Sequence, residues 1–235
     1  MANFLLGLIV LYPIFRILLW NEKYFAYAFK LMRFWAGWIL FVPGIIVKVK
    51  GKEHLKKLPK AVVFCANHFS YIDIPVSYLV TPHYFVYMGK SELRKTPLFR
   101  IFFEQMNILV ERNNKVGAHK AFEKAKEHLE KGHAVFLYPE GTISKHAPKM
   151  LPFKNGTFKL AIETQVPIVP VTFVSNYKRL QTGGYFKAMG SPGFCEVVIN
   201  PPIYTKGLSE GDYVSLKEKV HRAIEGPLIL KYGHK

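Results

Sequence analysis

Cysteine is scarce in this chain: 235 residues contain two, Cys65 and Cys195. Nothing in their number or placement implies a disulfide framework or a zinc site. Cys65 also lies in an apolar run, where a cysteine behaves as a small hydrophobe, so a reducing compartment is expected. Acid is scarce too: 16 Asp and Glu stand against 33 Lys and Arg, for a formal net charge of +17. No Gly-x-Ser-x-Gly elbow is present, which argues against a serine lipid hydrolase. No nucleic-acid-binding motif accompanies the basic surplus, and strong apolar segments argue against that partner. Internal repeats and long linkers are also missing, so one domain plus an appendage is the expected organisation.

What the sequence has in quantity is apolar and aromatic: half the residues are hydrophobic, with 13 Tyr and 19 Phe. A basic, aromatic-rich, apolar chain suits an anionic membrane surface or a phosphorylated substrate. The apolar residues concentrate near the start. Residues 4–20 are almost wholly apolar, broken by Pro13 and Arg16, and residues 24–42 carry only Lys30 and Arg33 as charges. Ala26-Tyr27-Ala28 resembles a leader cleavage site, but Met1-Ala2-Asn3 has no basic side chain and Arg16 interrupts the apolar run, which argues against a secretory leader. Residues 4–20 as a helix reach roughly 25 Å, short of a hydrocarbon core of about 30 Å. Lys30 and Arg33 at mid-depth would cost about 2.5–3.5 kcal/mol each. On a helix Lys23, Ala26, Lys30, Arg33 and Gly37 share one narrow sector. Residues 1–44 are therefore expected to form a membrane-binding helical hairpin that does not cleanly span. The alternative is that the basic stripe packs on the second domain, residues 45–235.

In that second part, strands are predicted at 45–51, 61–66, 84–88, 107–112, 134–137, 166–171 and 196–200. Helices are predicted at 75–79, 115–131, 156–165 and 216–224. Alternating strands and helices imply an α/β fold, one sheet covered by helices on both faces. His119 and His128 are expected on a solvated helix face.

The chemistry concentrates at the ends of the strands. Asn67-His68-Phe69-Ser70-Tyr71-Ile72-Asp73 follows the run Ala61–Ala66, with histidine and aspartate five positions apart. A turn there brings the carboxylate back beside the imidazole. That is two thirds of a Ser-His-Asp triad, with no serine needed if the substrate brings its own hydroxyl. Alone, His-x4-Asp is a common spacing. It is joined by Asn107-Ile108-Leu109-Val110-Glu111-Arg112, by Tyr138-Pro139-Glu140-Gly141-Thr142, and by Val166-Pro167-Ile168-Val169-Pro170.

These four blocks, in this order, resemble the glycerolipid acyltransferase family, which includes the enzymes that acylate lysophosphatidic acid. The resemblance covers roughly residues 45–205. It implies a glycerol-phosphate acyltransferase-like fold with a single mixed β-sheet, and transfer of a fatty acyl group from a thioester to a lipid hydroxyl in phospholipid biosynthesis. No cofactor or metal is implied. The implied partners are acyl-CoA or acyl carrier protein as donor, a lysophospholipid acceptor and an anionic membrane surface. The implied location is the cytoplasmic face of the inner membrane. His68 is then the general base and Asp73 its orienter. Asn67 and Ser70 support the motif; for Ser70, capping of the following helix is the competing role.

For the acceptor's phosphate the resemblance points to Arg112, whose guanidinium suits two-point binding. Lys90, in a Lys-x-Glu-Leu segment, and Lys154, just before a helix start, are further candidates. Glu140, Gly141 and Thr142 fall in the family's acceptor-binding block. A carboxylate repels phosphate, so Glu140 is expected to pair with a basic side chain or a substrate hydroxyl. The family often has arginine directly after Gly-Thr, whereas this chain has Ile143. That departure keeps other acceptors open: glycerol 3-phosphate, another lysophospholipid, or the hydroxyl of an N-acyl amino-acid lipid. A non-catalytic membrane-binding scaffold is the remaining alternative, opposed by the intact His68 and Asp73.

Overall fold

A computed structural model describes residues 2–95, 98, 100–111, 114–180 and 189–233. The chain opens with α1 (Ala2–Leu18) and α2 (Phe25–Phe41). Seven strands follow: β1 (Ile45–Lys50), β2 (Val63–Ala66), β3 (Phe85–Lys90), β4 (Ile108–Val110), β5 (Ala134–Leu137), β6 (Ile168–Phe173) and β7 (Gly193–Ile199). Between and after them lie α3 (Asp73–Val80), α4 (Arg100–Gln105), α5 (Lys115–Glu130), α6 (Gly156–Glu163), α7 (Asn176–Arg179) and α8 (Tyr213–Tyr232).

The sheet order is β1-β7-β6-β2-β5-β3-β4. Every neighbouring pair is parallel except β6 with β7, so the sheet is mixed. Strand alternation sorts the core into two layers. Phe64, Phe136, Val169 and Phe173 join the layer that holds α1, α2 and α3. Val63, Cys65, Val135 and Ile168 join the opposite layer, with Ala125 of α5, Phe158 of α6 and Val220 of α8. Both faces are thus covered, as a largely parallel sheet requires.

The N-terminal helices pack antiparallel and share the core with the sheet: Phe15, Phe29, Trp35 and Leu40 are buried in the same cluster as Phe64. Their outer sides leave Ile9, Val10, Phe34 and Phe41 exposed. Among the described residues no helix is long and apolar enough to cross a membrane. The basic stripe divides. Lys30 is exposed and lies over the Tyr27 ring at 5.5 Å, whereas Arg33 turns inward and donates from Nη1 to the Thr81 carbonyl at 2.7 Å, at the C-terminal end of α3. A cation there meets both an unpaired carbonyl and the negative end of the helix dipole.

α8 runs well beyond the predicted 216–224, straight through Pro227, because Leu216, Val220, Ile224 and Leu228 keep one apolar stripe facing the core. β7 begins three residues earlier than the predicted strand at 196. His128 corrects another expectation. It is half-buried, with its Nδ1 3.2 Å from that of His133, so it does not stand on the solvated face with His119.

Candidate active site

β2 is central in the sheet, and Asn67 continues its pairing with side-chain atoms. The Asn67 amide donates to the Phe173 carbonyl at 3.0 Å, and its oxygen accepts the Phe173 N–H at 2.8 Å. The chain is therefore still anchored to β6 when it reaches His68. Both backbone polar atoms of His68 are also held: its N–H donates to Glu140 Oε1 at 2.8 Å, and its carbonyl accepts the Ser144 N–H at 2.9 Å.

Asp73 is the first residue of α3 and is wholly buried. Its Oδ2 lies 2.9 Å from His68 Nδ1 and accepts the N–H groups of Phe69 at 2.7 Å and Ser70 at 2.9 Å. Its Oδ1 accepts the Asn176 side-chain amide at 2.8 Å. Three donors besides the imidazole thus satisfy this buried carboxylate. An acceptor-only carboxylate assigns the proton of the imidazole to Nδ1. Nε2 then carries the lone pair, and among the described residues no side chain hydrogen-bonds it. The His68 side chain is 14% exposed, so the imidazole is shielded but reachable.

Tyr138 covers one face of that imidazole, with ring centroids 4.1 Å apart and 17° between planes. Tyr87 stacks beyond it at 6.1 Å, and the Tyr87 hydroxyl hydrogen-bonds that of Ser77. Ser77 lies one turn after Asp73 on α3, so the same helix orients His68 through the carboxylate and braces the rings beside it. Burial raises both tyrosine hydroxyls well above the usual phenol range. Burial likewise pushes the Cys195 thiol up to about 12 and Cys65 higher still, so neither supplies a thiolate.

Glu140 departs from expectation. It is 3% exposed, and instead of pairing with a base it accepts two backbone N–H groups, from His68 on Oε1 and Leu151 on Oε2, each at 2.8 Å. Burial pushes its carboxyl up to about 7, against the pull of those two amides. Glu140 thus ties the histidine turn to the loop ahead of α6. Ser70 does not cap α3, whose N-cap position is Ile72. Its hydroxyl donates to the Leu180 carbonyl at 2.7 Å and accepts the Ile72 N–H at 3.3 Å.

The other predicted residues that the structure describes fall around the same sheet edge. Gly141 has φ +73°, and a Cβ there would stand 2.8 Å from Lys154 Nζ, so the bare backbone lets the lysine lie across it. Thr142 is exposed next to this pair. Lys90 ends β3 opposite Val110 of β4 and makes an exposed ion pair with Glu92 at 2.9 Å. Arg112, two positions past Val110, lies outside the described residues. His68, Asp73, Glu140, Gly141 and Lys154 are therefore brought together, with Lys90 at the end of a strand on the same edge. Sequence reasoning missed Asn176 and Tyr138. Asn176 sits just past the end of β6, and the rule that singled out His68, a polar residue where a strand ends, would have found it.

The arrangement can deprotonate a hydroxyl held at Nε2. Residues 46–174 match the sequence model of the acyltransferase family. The chain is similar to mouse 1-acyl-sn-glycerol-3-phosphate acyltransferase alpha, 30% identical over an alignment covering 87% of this chain and 80% of the relative. It is 31% identical to the human protein of the same name, covering 83% of this chain and 68% of that one. Among solved structures, it resembles the crystal structure of the 1-acyl-sn-glycerophosphate acyltransferase from Thermotoga maritima. That match has a TM-score of 0.74 at 27% identity and covers 91% of this chain and 84% of the other.

Proposed function

The chain belongs to the acyltransferase family, and from that premise we propose that His68 is the general base of acyl transfer to a lysophospholipid hydroxyl. The enzyme moves an acyl group to the sn-2 hydroxyl of 1-acyl-sn-glycerol 3-phosphate, giving phosphatidic acid. The donor in this reading is a thioester of coenzyme A or of acyl carrier protein. The single observation that carries the mechanism is the His68 Nδ1–Asp73 Oδ2 contact of 2.9 Å, which leaves Nε2 open at the edge where the parallel strands end.

In the first step His68 Nε2 takes the proton of the acceptor hydroxyl while that oxygen attacks the thioester carbonyl. Asp73 holds the tautomer and stabilises the imidazolium. When the tetrahedral intermediate collapses, the carbon–sulfur bond breaks and the imidazolium returns its proton to the leaving thiolate. The ester and the free thiol are the products, and no acyl-enzyme forms. Lys154, resting on Gly141, with Thr142, Lys90 and Arg112, supplies the acceptor's phosphate site. Glu140 acts by fixing the loop that carries Gly141 and Lys154.

Residues 1–44 serve as the membrane-associated unit and residues 45–235 as the catalytic unit, working at the cytoplasmic face of the inner membrane. The exposed apolar sides of α1 and α2 support this reading.

The test is turnover with a panel of acceptors, read as product lipid and free fatty acid. Lysophosphatidic acid is expected to be acylated, with little free acid released. Preference for glycerol 3-phosphate or for an N-acyl amino-acid lipid would reassign the acceptor, a result that Ile143 makes worth seeking. Free fatty acid as the main product would contradict acyl transfer.

A further inference from the structure

β7 runs antiparallel to β6 and parallel to β1. The N-terminal ends of β1 and β7 therefore lie on the edge where β2, β3, β4, β5 and β6 end, which is the edge that carries His68. α2 runs directly into β1, so its last turn reaches that edge as well. Large apolar side chains stand open to solvent there: Phe41 78%, Val42 50%, Ile46 57% and Phe194 47% exposed. Ile46 and Phe194 are register partners on adjacent strands and form one apolar spot. Strand alternation sends Ile45, Val47, Cys195 and Val197 into the core and leaves Ile46 and Phe194 on the other face. Lys48, two residues along the same face, holds its ammonium 3.4 Å from the Phe194 ring centroid.

We infer that this rim is a second bilayer contact, outside the N-terminal hairpin: Phe41, Val42, Ile46 and Phe194 enter the headgroup region of an anionic phospholipid bilayer, and Lys48 reaches lipid phosphate. The inference rests on the membrane attachment proposed for residues 1–44 and carries it into the catalytic unit. Two observations select a bilayer as the occupant. The rim adjoins α2 along the chain: Trp38 and Phe41, exposed on its last turns, lead through Val42 to Ile46. A lysine above an aromatic ring, on a chain of net charge +17, complements anionic headgroups around inserted apolar groups. The consequence is functional. With the rim seated in lipid, the edge bearing His68 faces the interface, where a lysophospholipid can present its hydroxyl while its tail stays in the bilayer.

Cys65 and Cys195 are buried, so a single surface cysteine in the full-length chain takes a polarity-sensitive fluorophore selectively. Three such variants are compared on vesicles of phosphatidylglycerol and phosphatidylcholine with brominated acyl chains. They are Phe194→Cys on the rim, Phe34→Cys on the exposed side of α2, and Lys131→Cys at the opposite sheet edge. The expected result is a blue shift and bromine quenching at 194 and 34, with 131 unchanged. Quenching at 34 with water-like emission at 194 overturns the rim while leaving the hairpin attachment standing. No quenching at either site refutes both. A blue shift at 194 without vesicles, growing with protein concentration, would assign the rim to a second copy of the chain and overturn the proposal. In parallel, Phe194→Glu is expected to lower partitioning onto anionic vesicles about tenfold with an unchanged melting temperature; unchanged partitioning would contradict the rim.

Discussion

At position 140 a buried carboxylate binds two backbone amides and nothing else among the described side chains. Its carboxyl sits at about 7, above the ordinary value near 4.5, with burial as the main cause. The folded chain therefore holds this proton more tightly than the unfolded chain. The stabilisation is complete below about pH 4.5 and is lost as pH rises through about 7. Glu140→Gln removes the titration and turns one N–H acceptor into a donor, so the variant is destabilised most at low pH. Between pH 5 and pH 8 it should gain on the wild type by about 2–3 kcal/mol. Urea unfolding of both proteins at the two pH values measures this, and a pH-independent difference would contradict it. The His-Asp pair was legible because the sequence alone places both residues in one turn after a strand. The Glu140 contacts were not, because its partners are backbone amides at 68 and 151, and no residue type advertises an amide. The same holds for Asn176, which reaches Asp73 across 103 positions of sequence.

Elements in the chain were mostly readable by period and length, and the exceptions have identifiable causes. α8 was expected to stop before Gly226-Pro227, yet its i, i+4 stripe continues to Leu228, and burial of that stripe outweighs the proline. α7, four residues long, has no period to detect. The hairpin helices were legible as apolar segments, but not the direction of Arg33, which depends on where α3 ends. The extension of β2 by Asn67 shows how an element can be completed by a side chain. Asn67→Ala leaves the buried Phe173 N–H and carbonyl without partners and should cost about 2–4 kcal/mol. Chemical denaturation checks this, and a change below about 0.5 kcal/mol would show that water or neighbouring backbone replaces the amide.

Over the whole molecule, one sheet edge gathers the open imidazole nitrogen, the Gly141–Lys154 pair and the exposed apolar rim. Antiparallel β7 puts the start of β1 and the end of α2 on that same edge. The hairpin also contributes Phe15, Phe29 and Trp35 to the shared core, so cutting at residue 45 would remove part of the core that the sheet packs on. The sequence resemblance anticipated the mixed sheet and the acyltransferase assignment. It did not indicate which strand ends share an edge, because that follows from one antiparallel pairing between distant segments. The central claim is that His68 is the base for acyl transfer at that edge. It is tested most directly by the rate of phosphatidic acid formation in folded His68→Ala, with lysophosphatidic acid and a long-chain acyl thioester at saturation. The expected rate is lower than wild type by about 10²–10⁴-fold, with an unchanged circular dichroism spectrum. Turnover close to wild type in that folded variant would contradict the account.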